Sequence, residues 1–430
     1  MARPRIVIVG AGFAGFAAAR ELAKLSRGGA DIVVVNPTDY FLYLPLLPEV
    51  ATGLLEPRRV TVPLATALPG VRVVLGTVET FDLDGRSVTV RDPEGGKRTL
   101  GYHKLVMAMG SVNKLLPVPG VVEHAHGFRG LSEALYLRDH LTRQIEMAAN
   151  ASDEAERQAR CTFVVVGAGY TGTEVAAQGV LYTEDLVKPY PNLRGRPRWL
   201  LLDTAERVLP SLDGRLADAA DQVLEQRGVE VLMKTSVAEA TSAGVRLSTG
   251  DFVPSRSLIW CVGVRPDPLI ESLGLPTEQG RLVVDEFLSV PGHPEVYAIG
   301  DAAAVPDLTM PGQITGMTAQ HATRHGTAAA RNIAASYGHG RRRAYKHHDL
   351  GFVVDLGGLD SAANPLHLPL RGLPAKVVTR GYHLLSMPGN RTRVASDWLL
   401  DTVLGRHGVQ LGLIRGQSVP LDSGKPISQG

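Results

Sequence analysis

IVIVGAGFAG (Ile6–Gly15) and FVVVGAGYTG (Phe163–Gly172) are the two stretches on which the fold turns. Each is an unbroken Ile/Val-rich run that enters a G-x-G-x-x-G corner and opens into a helical pattern. A run without polar alternation fits a parallel strand buried on both faces. Gly10 and Gly167 permit the tight turn, while Gly12 and Gly169 let the backbone approach a diphosphate. Gly15 and Gly172 allow close helix–strand contact, so that the anion rests on the helix N-terminus. One such corner is weak evidence, because glycine turns are common. Two, 157 residues apart and each in a strand–turn–helix context, predict a duplicated dinucleotide-binding unit. A pair of purely structural βα turns is the competing reading.

The ends of the second strands refine the prediction. Asn36 lies 21 residues past Gly15, where a ribose-binding acid is usual. Asn still bonds a ribose hydroxyl. In the second copy the strand Arg198–Leu202 ends at Asp203, 31 residues past Gly172, with a Pro-containing loop taking up the extra length. A carboxylate there accepts from a ribose 2′-hydroxyl and repels a 2′-phosphate, which favours NADH over NADPH. A solvated turn Asp is the plainer alternative.

Between the copies, Val71–Leu75 and Val88–Arg91 read as antiparallel strands. LVMAMGS (Leu105–Ser111), LIWCVGVRP (Leu258–Pro266) and VYAIGD (Val296–Asp301) read as buried strands, the last ended by the pair Gly300–Asp301. Cys161 and Cys261 stand 100 residues apart with no C-x-x-C, which excludes a dithiol relay and zinc-finger spacing. No apolar stretch reaches the ~20 residues of a membrane span. Met1 leads straight into a strand pattern with no signal peptide, so a cytoplasmic chain is expected. Arg341–Gly430 carries 12 Lys/Arg against 6 Asp and no Glu, on an otherwise mildly acidic chain. Such a basic tail suits an anionic lipid surface better than nucleic acid.

The two corners together with VYAIGD and LIWCVGV resemble the two-dinucleotide-binding flavoprotein superfamily. FLYLPLLPEVATG (Phe41–Gly53), TAQHATRHG (Thr318–Gly326) and HLLSMPGNRTRVASDW (His383–Trp398) make the chain similar to the type II NADH dehydrogenases. These are single-subunit, peripheral-membrane NADH:quinone oxidoreductases that pump no protons. The resemblance implies non-covalent FAD on the first corner, with Asp301 bonding its ribityl or phosphate oxygens and Pro45 facing the isoalloxazine. It implies NADH on the second corner, with Gly263 lining the nicotinamide side. Gly110, Gly300, Ala319 and Tyr170 join the candidate cofactor-binding residues. Glu174 matches the glutamate that sits near the stacked rings, although a first-turn Glu is also favoured by the helix dipole alone. The helix around Thr318–Arg331 is expected to aim its N-terminus at the flavin N1–C2=O edge, where a dipole stabilises the anionic reduced ring. Ala319, Gln320 and Ala322 keep the family's acceptor-side pattern, but Arg324 stands where the second Gln is usual. That Arg bonds a quinone carbonyl, marks an acceptor bearing a carboxylate, or lies with Gln320 on a solvated helix face. His321 and His325 lack the Glu of an H-E-x-x-H set and read as surface or substrate-edge histidines, with no metal expected.

The expected architecture is therefore α/β, with two Rossmann-like dinucleotide-binding domains, the second inserted in the first, and a C-terminal α/β region. FAD would occupy residues 1–116 and 290–340, NADH 117–289, and residues 341–430 would meet a membrane surface or a second subunit as a homodimer. Leu384, Leu385, Trp398, Leu399, Leu400, Val403 and Leu404 supply amphipathic material to that tail, while Lys376 and Arg380 interrupt it and argue for weak anchoring. The expected activity passes hydride from NADH to flavin and two electrons on to a quinone, peripherally on the inner face of the cell membrane. Two alternatives remain at this point: a soluble flavin-dependent NADH reductase or oxidase acting on a small molecule, and a low-turnover redox sensor.

Overall fold

The strands Arg5–Val9 and Thr162–Val166 are buried almost throughout, and each lies inside a parallel sheet, as their lack of polar alternation requires. The computed structural model describes residues 3–422 apart from 213, 405 and 407. The chain divides into two compact units: Met1–Leu42 with Thr61–Val112 and Val264–His348, and Tyr43–Val60 with Asn113–Gly263 and Asp349–Gly430.

In the first unit a six-stranded sheet runs Ser289–Val290, His293–Ala298, Lys104–Met107, Arg5–Val9, Asp31–Asn36, Arg72–Leu75. All its pairings are parallel except the outermost, Ser289–Val290 with His293–Ala298. The helix Phe13–Ser26 leaves the glycine corner with an alanine-rich face, Ala14, Ala17 and Ala18 all buried. Those small residues let the helix Ala319–Ser336 approach closely: a Cβ on Gly326 would lie 2.1 Å from the Ala14 carbonyl oxygen. Arg72–Leu75 differs from the sequence expectation, since it pairs in parallel with Asp31–Asn36. So short a β-branched run carries no information on pairing direction, so composition could not have settled it. Ser87–Arg91 is antiparallel to both Thr77–Asp82 and Lys97–Gly101, as expected.

The second unit repeats the plan. Its all-parallel sheet runs Ala125–Gly127, Ser257–Trp260, Thr162–Val166, Arg198–Asp203, Val229–Met233. The helix after its corner spans Tyr170–Val187. That helix rests on the sheet through a slot at Gly179, where a Cβ would meet the Trp199 ring at 2.2 Å. Trp199 in turn donates its Nε1–H to Thr183 Oγ1 at 3.0 Å, so its buried polar atom is served. The C-terminal stretch forms a small antiparallel sheet (Val353–Asp355, Ser361–Ala363, Leu370–Arg371) and two helices, Gly372–Ser386 and Arg391–Leu404. The α/β class holds throughout.

Candidate functional site

Each glycine corner solves the same steric problem with the same parts. Gly10 sits at φ 96° and Gly167 at φ 105°, where an L-side chain is strained, and a Cβ on either would lie 2.3 Å from a neighbouring carbonyl oxygen. Gly15 and Gly172 face the carbonyl of the first glycine, with 1.9 and 1.8 Å left for a Cβ. Gly12 and Gly169 are different. Their φ values of −68° and −73° suit any residue, and a Cβ would meet nothing within 4 Å. Nothing inside the protein demands glycine there, so the demand comes from what approaches the helix N-terminus. Neither helix has a side-chain cap at that end. An open glycine face at an uncapped helix start fits a diphosphate in both units.

The residues closing the second strands hold the corners in shape. Asn36 Oδ1 accepts the Ala11 N–H at 2.8 Å, and its Nδ2 donates to the carbonyl and hydroxyl of Thr38 at 2.8 and 3.0 Å. A carboxylate could take the first bond but has no hydrogen for the Thr38 carbonyl, which explains Asn where an acid is usual. Asp203 does the equivalent work in the second unit: Oδ2 accepts the Ala168 N–H at 2.6 Å and Oδ1 the Ala205 N–H at 2.8 Å. Cys261 answers to Ala108, each Cβ lying 3.3 Å from where a Cβ on the third glycine would stand. Burial pushes the Cys261 thiol up to about 12 and the Cys161 thiol up to about 11. Both cysteines are packing residues without thiolate character.

Further along the first unit, Asp301 follows Gly300 in a short 3-10 turn and accepts from Ser111 Oγ at 2.7 Å. Gly300 has φ 65° and donates its N–H to His325 Nδ1 at 3.3 Å. That bond puts the imidazole proton on Nε2, facing Thr315 Oγ1 at 3.4 Å. His325 is fully buried and its pKa is driven far below the usual value by desolvation, which corrects its reading as a surface histidine. Thr318 caps the helix Ala319–Ser336 through the His321 N–H. Arg324, half-buried, donates to His347 Nδ1 at 3.3 Å and to the His348 carbonyl. His321 stacks on His347 at 3.8 Å and meets the Tyr345 hydroxyl at 3.3 Å. The described residues contain no grouping of three ligating side chains around a metal position.

In the second unit Tyr170 starts the post-corner helix and packs edge-on to Phe352 at 6.2 Å. Glu174 keeps partial exposure, yet desolvation raises its carboxyl well above the usual range, with Asp355 and Glu49 adding to the rise. Its Oε1 accepts the Asp355 N–H at 2.8 Å. Asp355 binds Lys376 Nζ with both oxygens, at 2.5 and 2.8 Å. Pro45 lies in the short turn Leu44–Leu46 before the helix Leu47–Ala51, which carries Glu49. Glu49 is 1% exposed and accepts Trp398 Nε1–H at 2.6 Å. Gly263, at φ 95°, accepts the Lys114 N–H at 3.0 Å, and a Cβ on it would meet nothing.

Sequence reasoning missed this buried cluster and misread one member. Lys376 is not an interruption of an apolar face: it is 2% exposed, while its neighbour Val377 is 65% exposed. The helix Gly372–Ser386 is inside out, with Lys376, Thr379 and His383 turned in and Leu373, Val377 and Leu385 turned out. The polar spacing 376, 379, 383 was the available signal, since it repeats at helical period.

A model of the pyridine nucleotide-disulphide oxidoreductase family matches residues 4–326. The chain is 30% identical over 409 residues to the type II NADH:quinone oxidoreductase NdhA of Mycobacterium tuberculosis, covering 92% of this chain and 86% of that protein. It is 30% identical over 412 residues to the demethylphylloquinone reductase NdbB of Synechocystis, covering 93% and 96%. The solved NDH2 of Plasmodium falciparum in complex with NADH shares the fold at a TM-score of 0.88 and 17% identity, over 95% of this chain and all of that one. Two open glycine corners on two parallel sheets define an oxidoreductase built for two dinucleotides. The chain belongs to the pyridine nucleotide-disulphide oxidoreductase family and, within it, to the type II NADH:quinone oxidoreductases.

Proposed function

We propose that the chain is an FAD-dependent NADH dehydrogenase that delivers two electrons to a quinone at a membrane surface without pumping protons. The observation that carries this reading is the pair of corners in which Gly12 and Gly169 alone have no internal reason to be glycine. FAD, when bound, supplies the two-electron redox chemistry between nicotinamide and quinone, and the protein supplies position and field. The first corner takes the FAD diphosphate, with Asn36 and Asp301 as polar partners and Gly110, Gly300 and Ala319 giving the backbone room. The second takes NADH, with Asp203 excluding a 2′-phosphate and Tyr170 and Gly263 beside the dinucleotide. Pro45 lines the flavin ring. Burial holds the Glu174 carboxyl well above its usual range, which suits a general acid near the reacting atoms. Gln320 and Arg324 address the acceptor, with Arg324 steadied by the His347 ring and the His348 carbonyl.

The outward row of Leu373, Val377 and Leu385, continued by Leu399, Val403 and Leu404, is too apolar for water and is flanked by Arg391 and Arg393. That composition suits an anionic membrane interface, on the cytoplasmic face. No helix among the described residues is long and apolar enough to cross a membrane. The tail argument for a soluble acceptor loses its basis, because Lys376 points inward.

The test is direct. Purified protein is expected to be yellow, NADH to bleach the flavin absorbance anaerobically, and a menaquinone analogue to reoxidise it faster than oxygen or soluble dyes. A colourless protein that takes up no FAD defeats the cofactor assignment. Quinones no better than oxygen defeat the acceptor assignment.

A further inference from the structure

The segment that follows the helix Ala319–Ser336 folds back along it and is fastened by buried bonds. Asn332 accepts the Arg343 N–H at 2.9 Å and donates to the Arg343 carbonyl at 3.0 Å, while the Tyr345 N–H reaches the Glu286 carbonyl at 2.7 Å. That lays Tyr345 and His347 against His321 and Arg324. Tyr345 is buried, and its hydroxyl stands between two ring nitrogens, His321 Nδ1 at 3.3 Å and His347 Nδ1 at 3.0 Å. The two imidazoles stack at 3.8 Å. Arg324 Nη1 donates to the same His347 Nδ1 at 3.3 Å and to the His348 carbonyl. Its Nε and Nη2 have no partner among the described residues, and no carboxylate there pairs with the guanidinium. With Arg324 only half-buried, those donors are open to a ligand.

Hydrogen counting fixes the state of His347. A guanidinium only donates, so the nitrogen it meets carries a lone pair and no proton. His347 is therefore neutral while Arg324 is in place. Once Nδ1 takes a proton it cannot accept from Arg324, and two cations face each other across 3.3 Å. The protonated ring has another partner ready. Its Nδ1–H donates to the Tyr345 oxygen, and the Tyr345 O–H turns to His321 Nδ1. The trio thus has two hydrogen-bonded states, and they differ in whether Arg324 is held. The stack admits one charge, because two imidazolium rings at 3.8 Å repel. Arg324, and Arg281 beyond His325, oppose that charge. Asp307, bound by the Thr309 N–H and hydroxyl at 2.8 and 2.6 Å, favours it through His321. His325 is kept neutral by burial, and Lys346 and His348 are exposed.

We infer that His347 is the positioning residue for Arg324: the neutral ring holds the guanidinium beside the acceptor, and a proton on the ring releases it. This rests on the reading of Arg324 as an acceptor-side residue. Held by Nη1, Arg324 keeps Nε and Nη2 for a quinone carbonyl; released, it no longer presents them there. Acceptor affinity therefore falls with pH, and by linkage a bound acceptor keeps His347 deprotonated. His347 itself touches no acceptor and acts through Arg324.

Two measurements on the FAD-loaded full chain test it. In steady state the KM for a menaquinone analogue is expected to rise about tenfold between about pH 7.5 and about pH 5.5, the span over which an imidazole of ordinary pKa near 6.5 titrates. Ferricyanide turnover, which needs no quinone carbonyl bound, is expected to lack that limb. His347→Gln keeps an accepting oxygen for Arg324 and removes the titration, so its quinone KM is expected to stay level. Tyr345→Phe removes the oxygen that receives the ring proton, so its limb is expected at lower pH than that of the wild type. A wild-type KM that ignores pH, or a limb that survives His347→Gln, overturns the inference. Imidazole NMR titration gives a readout that needs no acceptor: the His347 midpoint is expected to rise by about one pH unit in Arg324→Leu, because the facing cation is gone. An unmoved midpoint overturns the inference, and this measurement decides the matter if His347→Gln does not fold. A wild type that reduces ferricyanide but no quinone overturns the acceptor assignment alone, and the NMR titration still reports whether His347 holds Arg324.

Discussion

Gly169 and Gly172 stand three residues apart and should fail in opposite ways. Alanine at 172 puts a methyl 1.8 Å from the Gly167 carbonyl, a backbone atom that cannot move without reopening the corner. Gly172→Ala is expected to lower the Tm by roughly 5 °C or more, as overpacking against backbone does. Alanine at 169 meets nothing, so Gly169→Ala should keep the Tm within about 1 °C while raising the KM for NADH about tenfold, a loss near 1.4 kcal/mol. Thermal melts of the ligand-free chain beside NADH titrations separate the two; equal Tm losses would mean that Gly169 is merely structural. The same contrast explains what was legible. The six positions were readable from spacing, and at Gly10, Gly15, Gly167 and Gly172 the need for glycine follows from backbone sterics. The work of Asn36 was not, because the Thr38 carbonyl that needs its N–H is set by a loop conformation no spacing encodes.

At the scale of elements, the helix Gly372–Ser386 is where sequence reading went astray. Amphipathic logic assigns apolar side chains to the interior, and under that rule Lys376 and Arg380 looked like flaws in a surface. The structure reverses the faces: Val377 and Leu385 are 65% and 77% exposed, and Lys376 is paired inside. Exposed apolar side chains of this size are each worth about 1.5 kcal/mol when withdrawn from water. Replacing Val377 and Leu385 together by Asp is therefore expected to cut flotation with anionic liposomes at least roughly tenfold, with little change in Tm because both positions are exposed. Flotation that survives while a dimer dissociates in sedimentation would make this face a contact between copies of the chain instead. The neighbouring helix Arg391–Leu404 is fastened by its inward residues, Trp398 to Glu49 and Asp397 to Arg59 at 2.7 and 3.0 Å, so the substitutions leave its anchors in place.

Over the whole molecule, the duplicated parallel sheet was legible because two unbroken β-branched runs each end at a glycine corner. The acid–base cluster was not, since its members come from 49, 174, 355, 376 and 398, and only the folded chain brings them together. That cluster and the buried histidines set how stability follows pH. His383 is lowered to about 4 by burial, so the folded chain binds fewer protons there than the unfolded one. Its contribution is complete above the unfolded value near 6.5 and is lost as pH falls towards 4. His140 and His325, also lowered by burial, act in the same direction. Glu49 is raised to about 7 by burial, with Asp355 adding to it, so there the folded chain binds more protons than the unfolded one. Its contribution is complete below the unfolded value near 4.5 and is lost as pH rises through 7. Glu174 follows Glu49. At about 1.4 kcal/mol per pKa unit, Glu49 and His383 each swing stability on the order of 3 kcal/mol across their windows. The Tm of the chain is thus expected to peak between about pH 6 and 7 and to fall on both sides. Glu49→Gln removes a group that cannot ionise comfortably, so its gain in Tm over the wild type should be small at pH 5 and grow towards pH 8. Parallel melts at those two values decide it, and a gain that shrinks with rising pH would mean that Glu49 is stable as a carboxylate inside the fold.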